Sequence, residues 1–377
     1  MRVLLISHTS QSRTEGQPKA EQLAQFPDVE LRVLAPDRWQ HYGKWRSPQV
    51  PTNPLYGYEV GRVLWPWVGP AQFYLHWYPG LARLLKEFRP EIIDLWDEPW
   101  GLVSAHACWL RNRLLPTAKI VAETEQNIPK KLPPPFEWFR TYTLKNANFA
   151  VARNVEAVDV LRNSGYAGPA ETVPNAVDTT LFRPLDRSQC RQDLGLSGYV
   201  AGYVGRLVEE KGLMDMVDAL KHTPSDVQLL FVGTGPMGAA LEARAAAIGR
   251  QQQVRVLPGR PLEDLPRLMN ALDVLVLPSR TTARWKEQFG RVIIEAHACG
   301  TPVIGSNSGA IPEVVGKGGL IFPEGDGSAL AAALCLLRDR PFSAREMGEI
   351  GLQQVKTHYT WERVAHRMRV IYKTLNG

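Results

Sequence analysis

The chain has 377 residues, more than one compact core usually supports, and this length predicts two domains. Hydrophobic residues make up 44% and charged residues 22%, which is typical of a soluble globular protein. The net charge of +6 is mild and is shared evenly by the two halves of the chain. It argues against nucleic acid as the main partner and is compatible with a phosphorylated ligand or an anionic membrane surface.

The cysteines and the N-terminus favour a cytoplasmic protein. The four cysteines lie far apart and form no Cys-x-x-Cys pair, which favours reduced thiols over a disulfide framework or a zinc site. The run RVLLIS follows Met1 directly, without the pattern of a signal peptide. No stretch approaches the roughly 18 apolar residues of a transmembrane helix, so we expect contact with a membrane, if any, to be peripheral at its inner face.

In the first half, short β-branched runs alternate with longer helical patterns, which predicts a parallel sheet covered by helices. The predicted strands are Arg2–Ile6, Leu31–Ala35, Val60–Leu64, Glu91–Leu95, Lys119–Ala122, Phe149–Ala152 and Glu171–Val173. The predicted helices are Ala71–Phe88, Leu102–Leu114, Trp138–Lys145 and Val155–Asn163.

A segment rich in Pro, Asp and Gly (173–198) is interpreted as the end of the first domain and a linker. The same alternation then restarts, which predicts domains at 1–185 and 186–359, with an amphipathic helix at 360–377 that packs back on the first domain. We therefore predict an α/β protein of two doubly wound Rossmann-like domains facing across a cleft, where α/β sheets bind ligands. The predicted helices of the second domain are Gly212–Leu220, Ala239–Ile248, Glu263–Ala271, Gly290–Cys299 and Ser328–Leu337.

Two glutamates stand out in the segment KEQFGRVIIEAHACGTPVIGS. Glu295 lies within an apolar predicted helix, where a carboxylate is costly unless it is hydrogen-bonded. Glu287 precedes the helix start, and we expect it to accept hydrogen bonds from ligand hydroxyls. The alternative is an exposed loop residue at 287 and an internal arginine that satisfies Glu295.

Basic and glycine-rich turns follow three predicted strands. Arg206 and Lys211 come after the strand that ends at Gly205, and two cations so placed suit a diphosphate, although Glu209 and Glu210 also allow a solvated charged turn. VGTGP, which contains Gly233, is a tight turn without the Lys-Ser/Thr of a P-loop. LPGR ends at Arg260 and could meet a base through backbone atoms.

Together these segments resemble the C-terminal domain of glycosyltransferase family 4. The resemblance rests on VGRLVEEKG, FVGTGP, VLPGR, DVLVLPSR and the E-x7-E segment, over roughly residues 199–325, and VPNAVDTTLFRP resembles the end of the first domain in that family. It implies a retaining, nucleotide-sugar-dependent enzyme with the GT-B fold and no metal or other cofactor.

The resemblance also implies roles for individual residues. Arg206 and Lys211 would hold the donor diphosphate, with Gly205 and Gly233 in the turns beside it. The donor-binding residues that it implies are Gly16, Gly205, Arg206, Lys211, Gly233, Arg260, Glu287, Phe289, Gly290, Arg291 and Glu295. In this set Glu295 would accept the ribose hydroxyls, Glu287 the hydroxyls of the donor sugar, and Arg260 would lie beside the base.

The chain departs from the family pattern in the first domain. Its first loop has only Gly16 where a glycine pair is common, and KIVAETEQNIPKK has Glu123, Glu125 and Asn127 where many members have a histidine. We expect Glu125 or Asn127 to contact the sugar or the acceptor, or else to serve stability. Asn127 and Trp100 are the candidates for acceptor binding.

The predicted function is transfer of a sugar from a nucleotide-diphosphate sugar such as a UDP-sugar to a saccharide or lipid-linked saccharide, in bacterial-type polysaccharide or glycolipid synthesis. The alternatives are another GT-B enzyme, such as a nucleotide-sugar epimerase, and an inactive nucleotide-sugar-binding protein.

Nine of the eleven tryptophans precede residue 140, in runs that include RWQHYGKWR (38–46), LWPWVG (64–69) and FEWFR (136–140). They are interpreted either as ordinary packing or as a groove for sugars or lipid headgroups.

Overall fold

The computed structural model describes residues 1–41, 44–65 and 71–377. The chain forms two compact units, Met1–Pro174 with Trp361–Gly377 and Asn175–Thr360. The division after Pro174 comes earlier than the boundary predicted after residue 185. Residues 175–185 join the second unit because they bond to it: the Val177 N–H donates to Tyr359 O at 2.9 Å and the Leu185 N–H to Asn270 Oδ1 at 2.8 Å.

The first unit contains a seven-stranded sheet in the order β5-β2-β1-β6-β7-β8-β9. All of its strand pairs are parallel. A two-stranded antiparallel sheet joins β3 to β4. The strands are β1 (Arg2–Ile6), β2 (Glu30–Pro36), β3 (Trp39–His41), β4 (Lys44–Arg46), β5 (Gly57–Gly61), β6 (Ile92–Leu95), β7 (Lys119–Thr124), β8 (Phe149–Ala152) and β9 (Ala170–Thr172).

Helices cover this sheet, and apolar residues of β1, β6 and β7 form the centre of the core. The helices of the first unit are α1 (Gln17–Leu23), α2 (Ala71–Leu75), α3 (Leu81–Phe88), α4 (Leu102–Leu114), α5 (Phe136–Asn146), α6 (Val155–Asn163) and α15 (Trp361–Asn376). Helix α15 packs against α1, and the Tyr372 hydroxyl donates to Asp94 Oδ2 at 2.6 Å.

Two predictions in this unit were wrong in detail. The strand predicted at Val60–Leu64 lies at Gly57–Gly61, because the Leu64 backbone pairs with Trp77 instead, through two hydrogen bonds of 3.0 Å. The helix predicted over Ala71–Phe88 is interrupted between Leu75 and Leu81 by that pairing and by Pro79, whose nitrogen has no hydrogen to donate. Parts of the aromatic runs RWQHYGKWR and LWPWVG lie outside the described residues.

The second unit contains a six-stranded sheet in the order β12-β11-β10-β13-β14-β15, again parallel throughout. The two parallel sheets with their helices confirm the predicted α/β class. The strands are β10 (Tyr199–Val204), β11 (Val227–Val232), β12 (Val254–Leu257), β13 (Val274–Leu277), β14 (Val303–Ser306) and β15 (Gly319–Phe322). The helices are α7 (Arg187–Leu194), α8 (Leu213–Ala219), α9 (Gly238–Ala247), α10 (Leu265–Ala271), α11 (Arg291–Ala298), α12 (Ile311–Val315), α13 (Gly327–Asp339) and α14 (Pro341–His358).

The sequence patterns did not indicate α14, the longest helix of the second unit's described residues. Its apolar positions are few, and only Gly348, Gly351 and Val355 are buried, so its periodicity is weak. It packs against α11 through glycines, which leave little hydrophobic signal in the sequence. Within residues 1–41, 44–65 and 71–377, none of the helices combines the length and apolar character that a membrane span needs.

Candidate functional site in the second unit

The turns that follow β10, β11 and β12 interlock. Gly205 has a φ of +152°, its N–H donates to Val232 O at 3.0 Å, and the N–H of Gly233 donates to Leu257 O at 3.0 Å. A Cβ on Gly233 would lie 1.7 Å from Gly205 O, so only glycine fits there. The contacts between these turns therefore explain why residues 205 and 233 are glycines. The same contacts set the path of the loop that carries Arg206.

Lys211 and Glu287 form an ion pair at this edge of the sheet. The Lys211 ammonium lies 2.6 Å from Glu287 Oε2 and 4.6 Å from the centre of the Trp285 ring. The Ser279 hydroxyl donates to the same carboxylate oxygen at 2.9 Å. The side chains of the pair are only 14% and 10% exposed, so the two predicted site residues share one partly shielded environment.

Arg206 lies at the same turn and is more accessible. Its side chain is 39% exposed, and its Nη2 lies 3.5 Å from Glu210 Oε1, four positions along the chain. The Arg206 carbonyl accepts a hydrogen bond from the Tyr203 hydroxyl at 2.8 Å, which fixes the backbone below the guanidinium. The arrangement gives a fork-shaped donor at the carboxyl end of β10.

Helix α11 begins beside the Lys211–Glu287 pair. Gly290, with a φ of +79°, precedes its first residue and has no side chain with which to cap the N–H groups of the helix. Phe289 is 4% exposed and packs edge-on against Tyr359, so only its backbone remains to meet a ligand. Uncapped N–H groups at a helix start attract anions.

Glu295 lies inside α11 and is 9% exposed. In the described part of the chain its carboxylate accepts no hydrogen bond. The sequence also allowed an internal arginine that would satisfy Glu295, but Arg291 acts on it only through its charge and not through a hydrogen bond. Burial raises the pKa of Glu295, and Arg291 opposes this effect. A buried carboxylate without hydrogen-bond donors is costly, and ligand hydroxyls would relieve that cost.

The remaining predicted donor residues have simpler surroundings. Arg260 is exposed in the turn after β12, and Arg291 is partly exposed at the start of α11. Gly16 belongs to the first unit, where a Cβ would lie 2.3 Å from Ser10 N. The close approach that excludes a side chain at Gly16 is thus made by the protein's own loop.

The acceptor candidates lie in the first unit. The Glu125 N–H donates to Glu98 Oε1 at 2.8 Å, and its carboxylate lies 3.6 Å from Arg153 Nε. Asn127 is 5% exposed and donates to Glu156 Oε2 at 3.2 Å. Trp100 packs against Tyr74, with ring centres 4.7 Å apart.

Glu123, which also stands where many family members have histidine, is fully enclosed. It binds Lys19 and Arg153, and Lys19 also donates to Asp94 Oδ2 at 2.9 Å. Each of these four side chains is at most 3% exposed. The network therefore serves the interior of the first unit and does not reach a ligand.

Sequence reasoning missed His8 and Asp97. His8 Nδ1 lies 2.5 Å from Asp97 Oδ1, and the two residues come two positions after the ends of β1 and β6. These strands are neighbours in the sheet. Their equal offset from two strand ends was the available signal, because the carboxyl ends of adjacent parallel strands meet at one edge.

Comparison with known sequences identifies the family of the chain. A sequence model described as "Glycosyl transferases group 1" matches residues 187–354, and one described as "Glycosyltransferase Family 4" matches residues 20–181. A D-inositol 3-phosphate glycosyltransferase of Segniliparus rotundus is 31% identical over 215 residues, which are 54% of this chain and 46% of that protein. A GDP-mannose-dependent monoacylated alpha-(1-6)-phosphatidylinositol monomannoside mannosyltransferase of Corynebacterium glutamicum is 32% identical over 54% of this chain and 56% of that protein. The matched regions thus span about half the length of these relatives.

Solved structures resemble the chain over its whole length. Sucrose-phosphate synthase of Thermosynechococcus elongatus aligns with a TM-score of 0.72 at 23% identity, covering 100% of this chain and 99% of that one. Anabaena Alr3699/HepE in complex with UDP aligns with a TM-score of 0.76 at 18% identity, covering 99% and 100%. At these identities the likeness concerns the fold, which is GT-B. The chain belongs to the group 1 glycosyltransferases of family 4.

Proposed function

We propose that this protein transfers a sugar from a nucleotide-diphosphate sugar to a hydroxyl of a saccharide or lipid-linked saccharide. The observation that carries the proposal is the grouping of Arg206, the Lys211–Glu287 pair and the N-terminal end of α11 at one end of the second sheet. Two cations and the N–H groups of a helix start suit a diphosphate, and two carboxylates nearby suit hydroxyl groups.

The donor is a nucleoside diphosphate sugar in this proposal. The relatives with GDP-mannose in their names, and the fold neighbour solved with UDP and UDP-glucose, support that class. Arg206 and Lys211 bind the diphosphate, and Glu295 accepts the ribose hydroxyls that its buried carboxylate needs. Glu287 accepts hydroxyls of the sugar once the diphosphate competes for Lys211.

We further propose that transfer retains the anomeric configuration and needs no metal ion. The bond between the anomeric carbon and the diphosphate oxygen breaks as the acceptor oxygen attacks the same face of the sugar. The acceptor's proton passes to the departing phosphate oxygen, so charge and atoms balance. Arg206, Lys211 and the α11 N–H groups stabilise the negative charge that grows on the leaving group.

A panel of nucleotides tests the proposal directly. UDP, GDP, ADP and their sugars are added to the full chain, and the melting temperature is recorded, since a ligand that binds the folded state raises it by mass action. The nucleotide sugar that gives a shift then serves as donor, with release of nucleoside diphosphate as the readout. Lys211→Ala should lower this release by about 100-fold or more. The matched control is Lys221→Ala, because Lys221 also pairs with a carboxylate, Asp218, at 2.7 Å but lies away from the site.

Two additions to the assay test its finer points. NMR of the product gives its anomeric configuration, and an inverted product would contradict retention. Turnover that survives EDTA supports the metal-free mechanism, whereas a loss restored by Mg²⁺ or Mn²⁺ would contradict it.

We also propose that the acceptor is presented at an anionic membrane surface. Trp138 on α5 is 59% exposed and Trp109 on α4 is 42% exposed. The Arg113 guanidinium lies 4.2 Å from the centre of the Trp109 ring. Two exposed indoles, one of them beside a cation, suit a lipid headgroup layer.

Flotation with vesicles tests this part. The protein should float with phosphatidylglycerol vesicles at low salt, and Trp109→Ala with Trp138→Ala should reduce the floated fraction. Phe342→Ala is the control, since Phe342 is 85% exposed on α14 of the second unit. Absence of wild-type protein from the vesicle fraction would exclude presentation of the acceptor at an anionic membrane surface. It would not affect the proposal that the protein transfers a sugar.

A further inference from the structure

Four side chains form a cluster at the carboxyl ends of β1 and β6: His8, Trp39, His76 and Asp97, here called the His8 cluster. Strand β1 lies between β2 and β6. The connection from β1 to β2 therefore leads to one side of β1, and the later strand β6 lies on its other side. This is the point in an open parallel sheet where ligands bind. None of these residues belongs to the donor site in the second unit.

The His8 ring is fixed by contacts with two residues of the cluster, and one of its nitrogens makes no bond to a described residue. Its Nδ1 lies 2.5 Å from Asp97 Oδ1, and its ring stacks on Trp39 with centres 4.7 Å apart. The side chain remains 25% exposed, and its Nε2 makes no hydrogen bond to any residue that the structure describes. A ring fixed from one side and open on the other suits contact with a ligand.

Two buried atoms of the cluster have no donor among residues 1–41, 44–65 and 71–377: Asp97 Oδ2 and His76 Nε2. His76 Nδ1 donates to the Gln72 carbonyl at 2.6 Å, so this nitrogen carries the hydrogen. Burial lowers the pKa of His76, which leaves Nε2 as an acceptor that lies 4.0 Å from Asp97 Oδ1. Both atoms require hydrogen-bond donors, and an unsatisfied buried acceptor is costly.

The charges that act on the cluster exclude an anion. The carboxylates of Asp97, Glu125 and Glu15 all act on His8; burial alone would lower the pKa of His8, but the Asp97 charge and hydrogen bond outweigh it and the pKa is raised. When the ring is protonated, the Asp97 carboxylate is its counter-charge at 2.5 Å. A phosphate group would meet these carboxylates and could offer no hydrogen to Asp97 or His76, whereas a hydroxyl can do so.

We propose that the His8 cluster binds an uncharged polyol ring, a sugar or cyclitol without phosphate at the bound position, whose hydroxyls donate to Asp97 Oδ2 and His76 Nε2 and contact His8 Nε2. The inference rests on the proposed function, because it assigns this ring to the acceptor. The proposal requires the reacting end of the acceptor to be uncharged. Any charged group of a lipid-linked acceptor must then lie at another part of that molecule.

Histidine NMR on the full chain tests the binding without knowledge of the natural acceptor. The probes are myo-inositol and D-mannose, each paired with its phosphate ester, D-inositol 3-phosphate and D-mannose 6-phosphate. The imidazole signals of His8 and His76, assigned through His8→Gln and His76→Gln, should shift with the neutral probes in a saturable way. The phosphate esters should bind about tenfold more weakly or worse, and the exposed His358 should not respond. Equal or tighter binding of the esters, or no shift with either neutral probe, overturns the proposal.

A variant of Asp97 gives the second measurement. Asp97→Asn replaces the acceptor oxygen by an NH₂ group or turns it away, so it should weaken neutral-probe binding about tenfold or more. The melting-temperature rise with the donor nucleotide reports folding of the second unit and should be unchanged. Should Asp97→Asn unfold the first unit, His76→Phe removes the other acceptor with a ring of similar size.

The two proposals fail in different ways. Nucleotide binding that persists while Asp97→Asn and His76→Phe leave neutral-probe affinity at the wild-type level overturns the acceptor site only. A wild-type chain that binds no nucleotide and releases none from any donor overturns the proposed function, and with it the identification of the polyol as an acceptor.

Discussion

Lys211 and Glu287, which stand 76 positions apart in the sequence, are joined by a 2.6 Å ion pair beside the start of α11. The pair neutralises two groups that the family resemblance assigns separately to the diphosphate and the sugar. It also holds the loop before α11 to the turn after β10. The pair therefore contributes to the stability of the second unit as well as to the proposed donor site.

Removing one member of the pair should destabilise the second unit. Lys211→Met removes the ammonium that lies 2.6 Å from the Glu287 carboxylate, and Glu287→Gln leaves that ammonium without the charge of its partner. We expect each change to cost about 1–3 kcal/mol, and the double variant to cost less than the sum. Denaturant unfolding of the four proteins measures the coupling, and additive costs would contradict it.

Glu295 presents a trade between stability and binding. Glu295 is 9% exposed and its carboxylate accepts no hydrogen bond from the described residues, so Glu295→Gln should raise the melting temperature of the nucleotide-free protein by about 2–4 °C. The same change should weaken nucleotide binding, because a charged acceptor for hydroxyls is lost. Glu346→Gln, at an exposed position of α14, should alter neither quantity. A variant that melts lower and binds nucleotide normally would show that Glu295 is structural.

Two buried tyrosines of the first unit should respond oppositely to loss of their hydroxyls. Tyr372 donates to Asp94 Oδ2 at 2.6 Å, so Tyr372→Phe leaves a buried carboxylate without this donor and should cost about 1–3 kcal/mol. The Tyr78 hydroxyl has no partner among the described residues, so Tyr78→Phe should be neutral or stabilising. Unfolding free energies of the two variants, compared with wild type, check the contrast. Equal costs would contradict it.

His297 should make the second unit less stable in mild acid. Burial lowers its pKa from an ordinary 6.5 to about 4, despite its bond to the Gly318 carbonyl. The folded state therefore holds a neutral ring where the unfolded chain takes up a proton, and stability falls as the pH drops from 6.5 towards 4, by up to about 3 kcal/mol.

The control for this prediction is His297→Asn, which removes the titrating group. The stability difference between wild type and variant should shrink over that pH range and stay constant above pH 7. A difference that does not change with pH would show that His297 titrates normally in the folded protein.

The sequence alone was sufficient to place several helices and strands. Helix α4 and strand β8 begin and end at the predicted residues, because their apolar pattern and their flanking residues are local properties. The turn residues Gly205 and Gly233 were likewise visible, although the reason for Gly233 is contact with Gly205 O, 28 positions away in the chain. The predictions from local sequence pattern failed where a segment pairs with a residue outside it. Trp77, for example, pairs with Leu64, and this pairing interrupts the predicted helix.

The sequence alone determined the family and suggested the residues proposed for the donor site, because strand-end turns and the two spaced glutamates are visible as patterns along the chain. Only the tertiary structure decided which charges meet. It enclosed Glu123 with Lys19 and Arg153, joined Lys211 to Glu287, and brought His8 to Asp97. Those pairings depend on the order of strands in the sheets, and strand order is set by packing between segments that are far apart in sequence.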